Sequence, residues 1–162
     1  NIISNYSIQL LSDVINSLER KEDLIFSFDC KLFSSDIDTT GYFKAFTDSI
    51  ISLVQTLEIE CYVESQNVDF LQIIQTKKPE YKLLYYPENF DEGYEVLSTN
   101  GFYGLSIDTE KISQQEVEHA HSNGFWIALW NVHTKNRNKE AILKSPDCIQ
   151  ADKLGHLLSL LE

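Results

Sequence analysis

The sequence has little positive charge and no long apolar run. Thirteen Lys and Arg residues stand against 25 Asp and Glu, which gives a formal net charge of −12. A protein that binds nucleic-acid phosphates needs a basic face. No uncharged apolar run reaches about ten residues, whereas a membrane-spanning helix needs about 20. We therefore expect neither nucleic acid as a partner nor a transmembrane segment.

Cysteine is scarce and methionine is absent. Cys30, Cys61 and Cys148 lie singly inside apolar runs, without C-x-x-C spacing, which predicts small buried side chains. An odd number of cysteines does not indicate a disulfide framework and favours a reducing compartment such as the cytoplasm. The chain has no methionine and no secretory signal pattern at Asn1, so we interpret its start as a processing or cloning boundary.

The sequence does contain a regular alternation of two apolar patterns. Segments with helical spacing of apolar residues separate short strand-like runs. The strand-like runs are residues 24–30, 59–65, 81–86, 102–108, 125–132 and 148–152. Asn67 is predicted to cap one helix, and Ser113 to Glu116 form a capping-box pattern that opens another, which ends at Gly124. Six strands alternating with seven helices predict parallel βα units in a single α/β domain over residues 1–162.

Polar side chains gather where the predicted strands end. In parallel α/β folds, ligands bind at the carboxyl ends of the strands. Those ends carry Asp29, Lys31, Glu64, Ser106, Asp108, Trp130, Asn131 and Asp152. Alternation places Asp29 and Lys31 on one face, where they form either a metal or anion site or a solvated ion pair. A tryptophan at a strand end, such as Trp130, is more often a core residue than a ligand contact, and Asp152 could equally be the N-cap of the last helix.

Several of these segments resemble the glycerophosphodiester phosphodiesterases. The run LIFSFDCKLF is similar to the family's I-E-L-K segment, FWIALWNVHT to V-x-V-W-T-V-N, and PDCIQAD to V-D-G-I-I-T-D. The resemblance spans nearly the whole chain. It implies a TIM barrel that uses calcium or magnesium to hydrolyse glycerophosphodiesters to an alcohol and glycerol 3-phosphate.

The resemblance also implies roles for individual residues. It places Asp29 at a metal-binding carboxylate and Lys31 at a lysine that contacts phosphate. Trp130 falls at the tryptophan that lines the glycerol side of the pocket. Three further residues at strand ends are expected to contact substrate, namely Glu64, Ser106 and Asp152.

The chain departs from the family pattern in two respects. Asp29 stands where glutamate is usual, and the family's H-R-G and H-D segments, with the two histidines that transfer protons, have no counterpart. Of the four histidines present, only His133 lies near the strand ends, where it could contact phosphate or act as an acid. Six strands form an incomplete barrel, because the TIM barrel has eight. An upstream segment or another chain is expected to complete it, unless the sheet is covered in some other way.

Three functional hypotheses therefore stay open. The first is a phosphodiesterase-like domain that acts on a small-molecule phosphodiester with a divalent cation, and that is inactive alone until the missing ligands and strands are supplied. The second is a catalytically degenerate relative that binds a phospho-ligand or a partner protein. The third is an unrelated open α/β domain whose strand-end residues form another kind of pocket.

Overall fold

The computed structural model describes residues 9–32 and 39–161. The predicted boundary at Asn1 and the last residue of the LIFSFDCKLF segment, Phe33, lie outside these ranges. The strands are β1 (Ile25–Asp29), β2 (Glu60–Ser65), β3 (Lys82–Tyr85), β4 (Gly104–Asp108), β5 (Trp126–Val132) and β6 (Cys148–Ala151). The helices are α1 (Leu11–Asn16), α2 (Thr39–Leu57), α3 (Val68–Lys77), α4 (Phe90–Asn100), α5 (Gln114–Ser122), α6 (Lys135–Leu143) and α7 (Leu154–Leu158).

The six strands form one parallel sheet in chain order, from β1 to β6. The sheet is strongly curled. Gln150 on β6 reaches Glu64 on β2 with an Nε2 to Oε2 distance of 3.3 Å, although three strands lie between them. The prediction of parallel βα units in an incomplete TIM-like barrel is therefore confirmed, and the described residues form a curled half-barrel.

Side chains alternate between the two faces of this sheet. On the convex face, Leu105 and Ile107 of β4 and Ile127 and Leu129 of β5 are fully buried under the helices. The concave face carries polar and aromatic groups, among them Gln150. Burying the convex side chains stabilises the sheet by about 1.5–3 kcal/mol for each one.

Capping residues set several helix boundaries as predicted. Asn67 Oδ1 accepts a hydrogen bond from the Phe70 amide at 2.9 Å. Ser113 and Glu116 form a complete capping box at the start of α5. The possible N-cap role of Asp152 is wrong: Lys153 occupies the N-cap position of α7, and no side chain caps that helix.

Large apolar side chains stay exposed beside both edges of the sheet. Beside β1 they include Leu10, Leu11, Leu24 and Ile25, and beside β6 they include Leu154, Leu158 and Leu161. Within the described part of the chain, neither β1 nor β6 has a strand partner on its outer side. None of the helices described there is long and apolar enough to cross a membrane.

An aromatic cluster fills the concave face at the amino ends of the strands. Tyr62 stacks on Trp126 with ring centroids 4.7 Å apart, and Tyr103 lies 5.9 Å from the same indole. The ammonium of Lys82 sits over Tyr62 at 5.4 Å and pairs with Glu60 at 2.8 Å. Aromatic side chains and an ion-paired lysine therefore occupy the pole of the half-barrel opposite the carboxyl ends of the strands.

The cysteines lie in the packed regions. Cys30 and Cys61 are buried as predicted, whereas Cys148 is half-buried. Burial is the main cause that raises the pKa of Cys30 to about 12 and that of Cys61 to about 11. Burial also raises the pKa of Cys148.

We expect the folded protein to resist thiol reagents at mildly alkaline pH. The thiolate is the reactive form, so at about pH 8 roughly one Cys61 thiol in a thousand is reactive. Labelling with a maleimide should modify Cys148 first and the two buried cysteines only on unfolding. Protein in urea, where all three thiols should react, is the control. Rapid labelling of Cys30 or Cys61 in the native state would contradict this packing.

Candidate functional site

The carboxyl ends of the six parallel strands meet at one pole of the half-barrel. We call the polar and aromatic side chains there the mouth. The mouth consists of Asp29, Lys31, Asn67, Tyr86, Asp108, Trp130, Asn131, His133 and Asp152. The sequence places the last residues of all six strands at this pole because every strand runs in the same direction.

A cavity of about 390 Å³ opens at the ends of β1, β2 and β3. Its lining includes Asp29, Lys31, Asn67 and Tyr86. The Lys31 ammonium lies 3.0 Å from the Asp29 carboxylate, and both side chains are more than half exposed. The hydrogen bond and charge of Asp29 raise the pKa of Lys31. The predicted solvated ion pair is therefore present, and it places one cation at the cavity.

An aromatic wall adjoins this cavity. Tyr86 follows β3, and its ring stacks on the indole of Trp130 with centroids 5.1 Å apart and an angle of 20° between the planes. Burial is the main cause that raises the pKa of Tyr86. Trp130 is half-buried, and its indole Nε1 is buried without a hydrogen-bond partner among the described residues. Trp130 thus packs against Tyr86, and its indole N–H has no acceptor among the described residues.

A β-bulge interrupts β5 beside the wall. Leu129 pairs with Ile149 and Val132 with Ala151, so β5 contains one residue more than β6 between these pairs. Asn131 lies within this interval with φ of 66°, a left-handed conformation that asparagine tolerates better than most residues.

The amide of Asn131 ties the bulge to the neighbouring strand. Its Nδ2 lies 3.1 and 3.0 Å from the two carboxylate oxygens of Asp108 at the end of β4. Asp108 Oδ1 also accepts a hydrogen bond from the Glu110 amide at 2.8 Å. These contacts fix the Asp108 carboxylate and the backbone of the bulge with respect to each other.

His133 and Asp152 meet at the ends of β5 and β6. His133 Nδ1 is in hydrogen-bond contact with Asp152 Oδ2, and both side chains are more than half exposed. The contact places the imidazole at the mouth, on the side away from Lys31. Asp152, which does not cap a helix, is instead a partner of this ring.

Glu64 and Ser106 lie below the mouth, on the concave face. Ser27 Oγ donates to Glu64 Oε1 at 2.7 Å, and Gln150 Nε2 lies 3.3 Å from both Glu64 Oε2 and Ser106 Oγ. Glu64 is 5% exposed and Ser106 is 1% exposed. Their predicted contact with substrate stays a prediction, because in this structure their polar atoms bind other side chains.

The described residues do not by themselves fit a divalent cation. Within residues 9–32 and 39–161, no group of three or more His, Cys, Asp or Glu side chains could hold a metal ion. Asp29 contributes one carboxylate, and that carboxylate is paired with Lys31. The metal role of Asp29 therefore stays a prediction, and we assign no chemical step to a cation at this site.

Sequence reasoning missed the part that Tyr86 and Asn67 play in the cavity. The sequence does contain a signal for Tyr86. Lys82, Leu84 and Tyr86 are two residues apart, so in a strand their side chains lie on the same face of the sheet. The sequence pattern indicates only a helix cap for Asn67. No sequence signal predicted the pairing of Asp108 with Asn131.

Comparisons with known proteins support the same fold. A glycerophosphodiester phosphodiesterase from Parabacteroides distasonis matches with a TM-score of 0.68 and 18% identity, covering 85% of this chain and 56% of that one. A Galdieria sulphuraria protein, provisionally designated a glycerophosphodiester phosphodiesterase, matches with a TM-score of 0.76 and 16% identity, covering 93% and 61%. An Oleispira antarctica phosphodiesterase, solved with the product sn-glycerol-3-phosphate, matches with a TM-score of 0.67 and 14% identity, covering 75% and 51%.

These matches confirm the predicted resemblance at the level of the fold. The six described βα units correspond to part of the phosphodiesterase barrel, and the chain spans about half to three fifths of the length of the three proteins. No protein-family model matches the sequence. No curated protein matches it either.

Proposed function

We propose that the mouth binds glycerophosphodiesters and glycerol phosphates, as part of a glycerophosphodiester phosphodiesterase-like domain. One observation carries the proposal: a cation, Lys31, and an aromatic ring, Tyr86, line the same cavity, and Tyr86 stacks on Trp130. The ammonium of Lys31 would bind the phosphate group, and the aromatic wall would pack against the carbon chain of glycerol. The Oleispira antarctica phosphodiesterase, which has the same fold, was solved with sn-glycerol-3-phosphate.

The negative charge of the protein makes Lys31 important for binding an anionic ligand. The protein carries a net charge of −12, and three carboxylates surround the mouth, those of Asp29, Asp108 and Asp152. An anion therefore meets a repulsive field except close to a cation. Lys31 pairs only with an exposed carboxylate, so its ammonium can turn to a bound phosphoryl oxygen at little cost.

The wall supplies a flat apolar surface. An aromatic ring offers a large apolar surface with few rotatable bonds. The Nε1 atom of Trp130 is buried, so a ligand at the wall meets the aromatic surface. This arrangement suits a small molecule with one charged end and a hydroxylated carbon chain.

Hydrolysis asks for more than binding. Among the described residues of the mouth, His133 is the one imidazole. Asp29 would be one ligand of a calcium or magnesium ion only if further ligands are supplied from outside the described residues. Completion of the barrel by an upstream segment or by a second copy of the chain also stays a prediction, as does low activity of the chain alone.

We expect Lys31→Gln to weaken glycerol 3-phosphate binding about tenfold, since a charge-assisted hydrogen bond contributes about 1.5–3 kcal/mol. Calorimetric titration at low salt measures the change. Lys82→Gln is the matched control, because Lys82 is also ion-paired and lies at the opposite pole. Equal affinity in the Lys31 variant and the unmodified protein would contradict the proposed phosphate contact.

A hydrolysis assay separates the three functional hypotheses. Glycerophosphocholine is incubated with a form of the protein in which an added upstream segment completes the barrel, with and without calcium or magnesium, and release of glycerol 3-phosphate is measured. Turnover that depends on the cation supports the phosphodiesterase-like domain. Binding without turnover favours the degenerate binding relative. Neither binding nor turnover would overturn the proposal and favour an unrelated α/β domain.

A further inference from the structure

The bulge in β5 decides which way His133 faces. Trp130 lies on the concave side, where it stacks on Tyr86. Strict alternation from Trp130 would turn Val132 to the concave face and His133 to the helices. Instead Val132 is fully buried and pairs with Ala151, and the imidazole meets Asp152. The extra residue therefore moves His133 to the concave side, which is a known use of bulges beside functional sites.

We propose that His133 and Asp152 form a second phosphate-contacting group of the mouth, in which Asp152 is a positioning residue. This inference rests on the proposed function. Asp152 holds Nδ1 of the ring, so Nε2 is the nitrogen left to meet a ligand. The His133 side chain is 57% exposed, so the imidazole borders the solvent side of the mouth.

The chemistry of the ring makes this contact depend on a proton. A neutral imidazole whose Nδ1–H points at Asp152 has a lone pair on Nε2, which repels a phosphoryl oxygen. The imidazolium form donates from both nitrogens at once, to the carboxylate and to the phosphate. Binding of a phosphodiester at His133 should therefore take up protons from the solvent.

Further charged and titratable groups lie on the elements around the pair. They are Asp108 on β4, Glu110 paired with Arg137 of α6, Lys135 at the start of α6, Lys153 at the N-cap of α7 and His156 within α7. His156 is a second imidazole in this region, so its contribution must be separated by substitution.

The test uses glycerophosphocholine as the probe. A phosphate monoester changes its own charge at about pH 6, so it would add protons of its own to the measurement. The charge of a phosphodiester stays constant over the pH range in which histidine changes charge. Calorimetry in two buffers of different ionisation enthalpy gives the number of protons taken up with the ligand. We expect a net uptake of protons with the ligand, and we expect His133→Gln to abolish it and to weaken binding about tenfold.

The positioning role of Asp152 has a readout of its own. The ¹⁵N chemical shifts of the His133 ring should show a protonated Nδ1 in the unmodified protein without ligand. Asp152→Asn should move the neutral ring towards the other tautomer while leaving the melting temperature nearly unchanged, because both side chains are exposed.

His121→Gln is the matched control. His121 Nε2 lies 2.9 Å from Asp147 Oδ2 near the amino end of β6, so it is another histidine paired with an aspartate, at the opposite pole. This variant and His156→Gln should keep both the affinity and the proton uptake. Unchanged affinity and uptake in His133→Gln, or an Nδ1 signal that Asp152→Asn leaves in place, would overturn the inference. Absence of binding by the unmodified protein would overturn the proposed function itself, together with this role.

Discussion

Replacing Gly104 with alanine should destabilise the protein by at least about 3 kcal/mol. A Cβ atom at this position would lie 1.9 Å from the carbonyl oxygen of Trp126 and 2.7 Å from its carbonyl carbon. Both obstructing atoms belong to the backbone of β5, so no side-chain rotation relieves the overlap. Urea unfolding followed by far-UV circular dichroism measures the change.

Gly155→Ala provides the control for this substitution. Gly155 lies in α7, and an added Cβ there meets no atom within 4 Å. Alanine is the better helix former, so this variant should be as stable as the unmodified protein or up to about 1 kcal/mol more stable. An unchanged unfolding midpoint in the Gly104 variant would show that β4 and β5 can separate without loss of the fold.

The close approach at Gly104 also bears on the site. Gly104 pairs with Trp126 at one end of the β4–β5 ladder, and Asp108 pairs with Trp130 at the other. The register that brings Asp108 to Asn131 at the mouth is thus set by contacts along the same two strands. A shift of β5 by one residue relative to β4 would turn the side chains of β5 to the opposite face and separate Asn131 from Asp108.

Local sequence patterns were enough to predict the parallel βα units, whereas the barrel was implied by the family resemblance. The apolar runs of β4 and β5 are continuous because helices bury the parallel strands of such a sheet. Helices instead show apolar residues at helical spacing, so the two kinds of element could be distinguished in the sequence. Ser113 and Glu116 predicted the start of α5 because a capping box uses side chains only three residues apart. The shared direction of the strands then implied a common mouth.

The details of the site depended on contacts between distant residues. Gln150 engages Glu64 across 86 positions of sequence, which removes Glu64 from the open surface in a way that no periodicity reveals. The bulge at Asn131 breaks the alternation that sequence reasoning relies on, so the orientation of His133 could not be deduced from it. Asp152 looked equally suited to capping a helix and to facing the mouth, because its neighbours along the chain do not distinguish the two.

Trp130→Ala should weaken the binding of glycerol 3-phosphate about 30-fold, because truncation of an aromatic anchor in a binding site commonly costs about 2 kcal/mol or more. The indole forms the wall beside the cavity, and its Nε1 has no partner among the described residues. Calorimetry well below the melting temperature gives the affinity, and thermal unfolding of the same sample gives the stability.

Trp126→Ala is the matched control for the wall. Trp126 lies on the same strand and the same concave face, about 13 Å away at the opposite pole, and it also stacks on a tyrosine. Both variants remove one half-buried indole, so both should lower the melting temperature, but only the loss of Trp130 should lower the affinity. If affinity instead fell in step with melting temperature in both variants, Trp130 would be a packing residue, and the cavity beside Lys31 would have no aromatic wall for a ligand to meet.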